Sequence, residues 1–588
     1  MDSAKASAHS TSVLTKLSKG IVNFVKQPRL LFWLFIVLNL VPNFCLLFTE
    51  PLSGLGKTIL ILLPLGVYMV VFSLFKRAGL MQLILIPVLI LHAFQLVLFY
   101  LFGESVIAVD MFLNLPTTNA SEAGELLGNI WPSIIIVCVL YIPVIVLASI
   151  AVHHKVRRTA VFRKHMITWG IIFFIIGSGL VAFEKHRDNT YEVKTDIYPA
   201  NVMYNLYYAG VKWNRSMNYP VTSKDFVYHA TRDSVHQRRE IYVLVIGEAG
   251  RAENWELWGY QRETNPLLKN EDNLILYKDA LTQSNTTHKS VPLILSAADA
   301  CHYEYLYTHK SIVTAFKEAG FKTIFLSNQT PNRSFTDYFA AEADIHVNVR
   351  PQADGGLITV NKFDGEMLPL IQQYVDSLSE NLFIVFHTYG SHFNYKERYP
   401  EEFAKFQPAN ATEVEYKNKD QLINAYDNSV LYTDYFLHSL IGILKNSEAD
   451  ATMIYSPDHG EDLLDDNRKR FLHASPIPTY YQIHIPFLMW FSENYIDARP
   501  EKYEVARYNS SAPISSNASI FHTLLNMAEI QTPYFDSTYS LVNPGFVRRP
   551  RMYLGDHDQP VNYYEVGLKK QDKEMILKRG MDHSTEEF

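Results

Sequence analysis

Glu248 follows the run Tyr-Val-Leu-Val-Ile-Gly, and Asp458-His459 follow Met-Ile-Tyr-Ser-Pro. His387 ends the run Leu-Phe-Ile-Val-Phe, His392 comes just beyond it in Gly-Ser-His, and His473 closes Phe-Leu-His after the Asp-His pair. Carboxylates and imidazoles with no cysteine among them suit Zn2+ or Mn2+, and a one-metal or two-metal phosphoryl-transfer site is a natural use of such a set. Taken singly, each has a plainer reading. An Asp-His-Gly triplet caps a helix through its carboxylate, Glu248 could be a first-turn charge favoured by the helix dipole, and His387 reads best as a core histidine with its hydrogen bonds satisfied. Their joint occurrence at several run ends favours the metal.

Those runs are the elements that must position the site. From about Arg238 onward, short apolar stretches (Ile241 to Ile246, Leu274 to Tyr277, Thr323 to Leu326, Leu382 to Phe386, Thr452 to Tyr455, Pro486 to Trp490) alternate with polar, helix-compatible ones. Several are continuous, as strands buried on both faces are. An α/β domain around a mostly parallel sheet follows, and such sheets bind ligands at the carboxyl edge of their strands.

The first 184 residues are of another kind. They carry 13 basic and 7 acidic residues, whereas the remaining 404 carry 40 and 53. Five stretches without a charge, approximately Leu30 to Phe48, Thr58 to Phe75, Ala78 to Phe102, Trp131 to Val152 and Met166 to Phe183, are long enough or nearly so to cross a bilayer. Twelve basic residues fall in the loops on one side and Lys57 alone on the other, which places the N-terminus in the cytoplasm and everything after Phe183 on the outer face. The expected organisation is a five-span α-helical membrane domain over 1–184, an aromatic-rich connector on the bilayer surface over 185–235, and an outer catalytic domain over 236–588. The outer part is net acidic, which argues against a nucleic-acid partner. With only Cys45, Cys138 and Cys301 in the chain, a disulfide framework is excluded.

In the loop between the third and fourth spans, Asn114, Thr118 and Glu122 are spaced four apart. On a helix they would share one face, presenting an amide, a hydroxyl and a carboxylate. By spacing alone a solvated face is the better reading.

The segments Val-Ile-Gly-Glu248-Ala-Gly-Arg-Ala-Glu-Asn-Trp, Ser284-Asn-Thr-Thr287-His-Lys-Ser-Val-Pro292, Gly390-Ser-His392-Phe-Asn-Tyr-Lys-Glu-Arg-Tyr-Pro400, Tyr426-Asp-Asn-Ser-Val-Leu-Tyr-Thr-Asp434, Ser456-Pro-Asp458-His459-Gly-Glu and Phe471-Leu-His473 together resemble the membrane-bound phosphoethanolamine transferases of the alkaline-phosphatase/sulfatase superfamily, which include the lipid A modifying and colistin-resistance enzymes. The resemblance covers nearly the whole chain, five spans included. It implies an alkaline-phosphatase-like outer domain and an inner-membrane, multi-pass protein with its catalytic domain in the periplasm. It implies Glu248, Asp458, His459 and Thr287 as ligands of one zinc ion or two, with Mn2+ the lesser alternative. Counting back from Ser-Val-Pro makes Thr287, not Thr286, the nucleophile. His392 and His473 would serve catalysis and hold the phosphate, and Asn114, Thr118 and Glu122 would help hold the headgroup. The donor implied is phosphatidylethanolamine, and the acceptor lipid A, an inner-core sugar of lipopolysaccharide or another envelope glycan. Two departures stand out: the cysteines that flank the nucleophile in many relatives are other residues here, and His288-Lys289 replace small or aromatic ones. The competing expectations are a glycerophosphate transferase of the same superfamily and a non-catalytic membrane sensor.

Overall fold

The computed structural model describes residues 19–50, 52–103, 105–117, 120–189, 191–232, 236–350, 361–411 and 413–585. These divide into two compact units, Met1–Ala108 with Ile130–Tyr207, and Val109–Asn129 with Tyr208–Phe588.

The first unit is helical. Four helical stretches, Pro28–Thr49, Gly54–Ser73, Ile130–His153 and Ala160–Arg187, are long and apolar enough to cross a membrane, and Ile86–Phe102 is a shorter apolar helix. Two of the expected spans are interrupted. The first runs as α1 (Pro28–Asn39) and α2 (Val41–Thr49), with Pro42 opening the second piece; after α3 (Gly54–Ser73), the third span runs as α4 (Leu80–Ile84) and α5 (Ile86–Phe102), with Pro87 at the junction. Proline has no N–H to give the preceding turn, and its ring collides with the carbonyl four residues back, so an uncharged run is not always one straight helix. Polar side chains inside this unit find partners: Asn39 donates to Gln82 at 2.9 Å, Asn43 to the carbonyls of Leu60 and Tyr198, and His92 lies 2.6 Å from the Tyr198 hydroxyl. Outward side chains such as Ile136, Val139 and Ile175 are more than 60% exposed, as a lipid-facing surface allows.

The second span, α3, is packed against the helix Ala160–Arg187 through glycines. A Cβ on Gly170 would stand 2.9 Å from the Gly66 carbonyl, and one on Gly66 2.8 Å from the Gly170 carbonyl. Small residues let membrane helices approach this closely. Gly170→Val should therefore separate the pair and destabilise the unit by about 1–3 kcal/mol, read as a lowered Tm of the detergent-solubilised protein; an unchanged Tm would mean the contact carries no weight.

The second unit is built on a seven-stranded sheet. Its strands are β1 (Glu240–Gly247), β2 (Leu274–Tyr277), β3 (Lys322–Ser327), β4 (Ile345–Asn348), β5 (Leu382–His387), β6 (Asp450–Pro457) and β7 (Phe487–Phe491), in the order β2-β7-β6-β1-β5-β3-β4. The five strands from β6 to β4 are parallel, while β7 and β2 complete one edge antiparallel. Every residue of β1, β5, β6 and β7 is buried. In β1, Tyr242, Leu244 and Ile246 enter one apolar core while Ile241, Val243 and Val245 enter another on the opposite face, which is why the run is continuous rather than alternating. All three cysteines are free.

Candidate active site

Register alone brings the reactive residues together. Ile246 pairs with His387 on one side and Ser456 on the other, and Gly247 pairs with Pro457. Glu248 and Asp458 therefore leave adjacent strands at the same edge. The turn after Glu248 is held by Tyr426, whose hydroxyl donates to the Ala249 carbonyl at 2.6 Å and accepts from the Arg251 N–H at 2.9 Å. From the other side, the Ser391 N–H donates to the Glu248 carbonyl at 2.9 Å. Gly390 sits at φ +46°, where a Cβ would stand 2.8 Å from the Glu248 backbone N and O; only glycine fits there without displacing Glu248.

Glu248, Asp458 and His459 converge, with one ligand atom from each lying within 4.8 Å of the others. His459 Nε2 is 3.2 Å from Asp458 Oδ2 and 3.5 Å from Glu248 Oε1. Asp458 Oδ1 accepts the N–H groups of Ala249 and His459, but its buried Oδ2 has no hydrogen-bond donor among the described residues. His459 donates its Nδ1 proton to the Gly460 carbonyl at 2.9 Å, so Nε2 presents a lone pair to the cluster. Two buried carboxylates, an orphaned oxygen and an imidazole lone pair fit a divalent cation of the zinc type. The electrostatics agree. Burial pushes the Asp458 carboxyl up to about 6 and drives the His459 imidazole well below its usual range, with neighbouring His473 adding to the latter.

Thr287 opens α6 (Thr287–Ile294), and its hydroxyl lies 3.3 Å from Glu248 Oε1 and 3.1 Å from His459 Nε2. The Thr286 hydroxyl turns away to Ser284 at 3.1 Å. A cavity of about 180 Å3 opens in front of Thr287 and is lined by Asn114, Glu248, Gln329, His387, His392 and His473, among others. The His473 ring lies 4.0 Å from that of His459. Burial alone would lower its basicity, but the Glu461 carboxylate 3.4 Å from Nδ1 outweighs that and holds it above the usual range. His392 is the reverse: burial, then Arg398 and His473, lower it to about 3. It donates Nδ1–H to the Phe393 carbonyl and stacks on Tyr389, leaving Nε2 available as an acceptor.

The structure thus brings Glu248, Thr287, Asp458, His459, His392, His473 and Asn114 to one place. Thr118 and the side chain of Glu122 lie outside the described residues. His387 is not the satisfied core histidine its run suggests: it is buried, but neither ring nitrogen has a partner among the described residues. Two residues escaped the sequence reading. Gln329 donates to Glu248 Oε2 at 3.3 Å and to the Thr388 carbonyl at 2.9 Å, and Glu461 supports His473. Gln329 lies just past the end of β3, so the strand-end criterion that found Glu248 reaches it too.

Residues 240–530 match the sulfatase family, and residues 65–212 match the family described as phosphoethanolamine transferase EptA/EptB. Over these two stretches the chain is similar to the phosphoethanolamine transferases and to the sulfatases. Among its relatives, phosphoethanolamine transferase EptA of Escherichia coli K12 is 30% identical over 309 residues, 51% of this chain and 55% of that protein. Phosphoethanolamine transferase EptC of the same strain is 29% identical over 321 residues, 53% and 54%. The chain thus spans about half the length of the curated relatives it matches. Of solved structures, the C-terminal periplasmic domain of E. coli EptC in complex with Zn is 27% identical with a TM-score of 0.52, covering 59% of this chain and 98% of that one. The integral membrane lipooligosaccharide phosphoethanolamine transferase A of Neisseria meningitidis, 22% identical, gives a TM-score of 0.67 over 88% of this chain and 99% of its own, so the family fold extends across the apolar helices as well as the sheet domain.

Proposed function

We propose that this protein transfers phosphoethanolamine from phosphatidylethanolamine to lipid A, a lipopolysaccharide core sugar or another envelope glycan, with Thr287 carrying the group between the two half-reactions. The observation that carries this reading is the Thr287 hydroxyl 3.1 and 3.3 Å from two members of a buried metal-ligand set, in a chain whose relatives are named phosphoethanolamine transferases. Glu248, Asp458 and His459, with Thr287 as the fourth ligand, would hold the metal. Zinc is favoured by the donor set and by the zinc complex of the EptC domain, and it supplies Lewis acidity that makes a threonine alkoxide accessible at neutral pH.

The chain's own groups do the rest. The Thr287 oxygen attacks phosphorus, the bond from phosphorus to the glycerol oxygen breaks, and diacylglycerol departs with a proton. His473, kept basic by Glu461, is the group suited to hold that proton, and neutral His392 is suited to accept a hydrogen bond from the substrate. An acceptor hydroxyl then attacks the phosphothreonine, gives up its proton and frees Thr287. Asn114, with Thr118 and Glu122, would face the headgroup. We further propose five membrane spans, the interrupted 17-residue helix Ile86–Phe102 included, a boundary near residue 184, an interfacial connector to 235, and residence in the inner membrane with the catalytic domain in the periplasm.

The test is intact-mass analysis of the detergent-solubilised protein after incubation with phosphatidylethanolamine. A phosphoethanolamine adduct mapped to Thr287, discharged on adding lipid A, is expected. A glycerophosphate adduct formed from phosphatidylglycerol instead would favour the related glycerophosphate transferases.

A further inference from the structure

The two residues after Thr287 are tied to a carboxylate on a distant segment. The helix Val109–Thr117 carries Asp110 at its start and Asn114 one turn later. Asp110 Oδ2 lies 2.6 Å from Lys289 Nζ, and its Oδ1 lies 3.2 Å from His288 Nε2. Lys289 also donates to the Gly555 carbonyl at 3.1 Å and stands 3.8 Å from Asp558, which in turn pairs with Lys212 at 2.5 Å. The Val109 N–H donates to the Asp556 carboxylate at 3.0 Å. Lys212 and Lys289 are both buried.

Charges buried at this density are a weak source of stability, since desolvation offsets most of their attraction. What they impose is geometry. Asp110 and Asn114, four apart, share one helix face; the first grips the helix that begins at Thr287, and the second lines the cavity in front of it. A slip of one residue along the helix would move Asn114 by about 1.5 Å and rotate it by about 100°, taking it off that cavity. We infer that Asp110 is a positioning residue which, through His288 and Lys289, fixes the nucleophile's helix against the helix presenting Asn114 to the donor headgroup. The inference rests on the proposed role of Thr287. It also gives His288-Lys289, the departure from the family pattern, a physical purpose: a small residue at position 289 could not reach Asp110.

A misplacement of about 1 Å costs on the order of 10²-fold in rate. Donor kinetics of the full-length protein in detergent should therefore show Asp110→Asn lowering kcat/KM for phosphatidylethanolamine by about 10- to 100-fold, chiefly through KM, with the Tm lowered as well because the buried Lys289 loses its nearest carboxylate. Asn114→Ala should cause a loss of its own, and in that background Asp110→Asn should cost less than about threefold more, because the group it positions is gone. Should Asp110→Asn fail to fold, the doubly neutral Asp110→Asn/Lys289→Met, which strands neither charge of the pair, is put through the same cycle. Losses that multiply in the Asn114→Ala background, or unchanged donor kinetics in an active protein, would overturn the inference alone. A wild-type protein that forms no adduct on Thr287 would overturn the function on which it rests, and the inference with it.

Discussion

Thr287→Ala should lower phosphoethanolamine transfer by about 10⁴-fold or more, the scale on which removing a nucleophile acts, while leaving the fold intact. The side chain is only partly buried and ends on the ligand set, so its removal leaves no large cavity. Thr286 cannot take over, because its hydroxyl is buried and bonded to Ser284. Thr287→Ser, which keeps an oxygen at the same place, should retain measurable transfer. Donor turnover and intact mass, read alongside the Tm, check this: a folded alanine variant that still transfers the group, or an adduct mapped to another residue, would end the covalent scheme.

Stripping the metal should abolish activity and lower the Tm together, and restoring Zn2+ should recover both. Glu248 and Asp458 bury two carboxylates side by side, an arrangement that costs free energy unless a cation neutralises it. A site about a hundredfold over its Kd in free metal adds roughly 3 kcal/mol to stability. The pH dependence has a definite sign. In the metal-free protein the Asp458 carboxyl is raised from 3.8 to about 6, so its protonated form is the one folding favours, and that contribution is lost as pH rises through about 6. Metal binding strengthens over the same interval as its ligands lose protons. The Tm gap between loaded and stripped protein should therefore widen from pH 5 to pH 8. Equal melting of the two forms at both pH values, or full activity in protein shown by elemental analysis to be metal-free, would contradict the assignment.

Much of the site was legible in the sequence because the physics that buries a parallel strand also marks where it ends. Glu248, Asp458 and His387 follow apolar runs too continuous to be half-exposed, and the register of β1 with β5 and β6 turns three distant run ends into one edge. What escaped has equally physical reasons. Strand β4, four residues with an exposed His346, lies at the sheet margin and never needed a strong apolar pattern. Pro87 breaks an uncharged run that composition alone cannot distinguish from a single span. Lys289, read in isolation, belongs on a surface; its burial depends on Asp110, which lies 179 residues away in the chain, and no local pattern reports such a partner.

The three unpaired cysteines bear on how the molecule is made. Nothing in the described structure waits on oxidation, so the catalytic unit has no mispaired covalent intermediates to escape and no need of an isomerase for thiols. Its tertiary contacts are held instead by the apolar cores on the two faces of the sheet, with buried ionic groups such as Arg499, which pairs with Glu240 and Asp450, fixing geometry between them. The domain's shape is therefore indifferent to the redox state of the compartment that receives it.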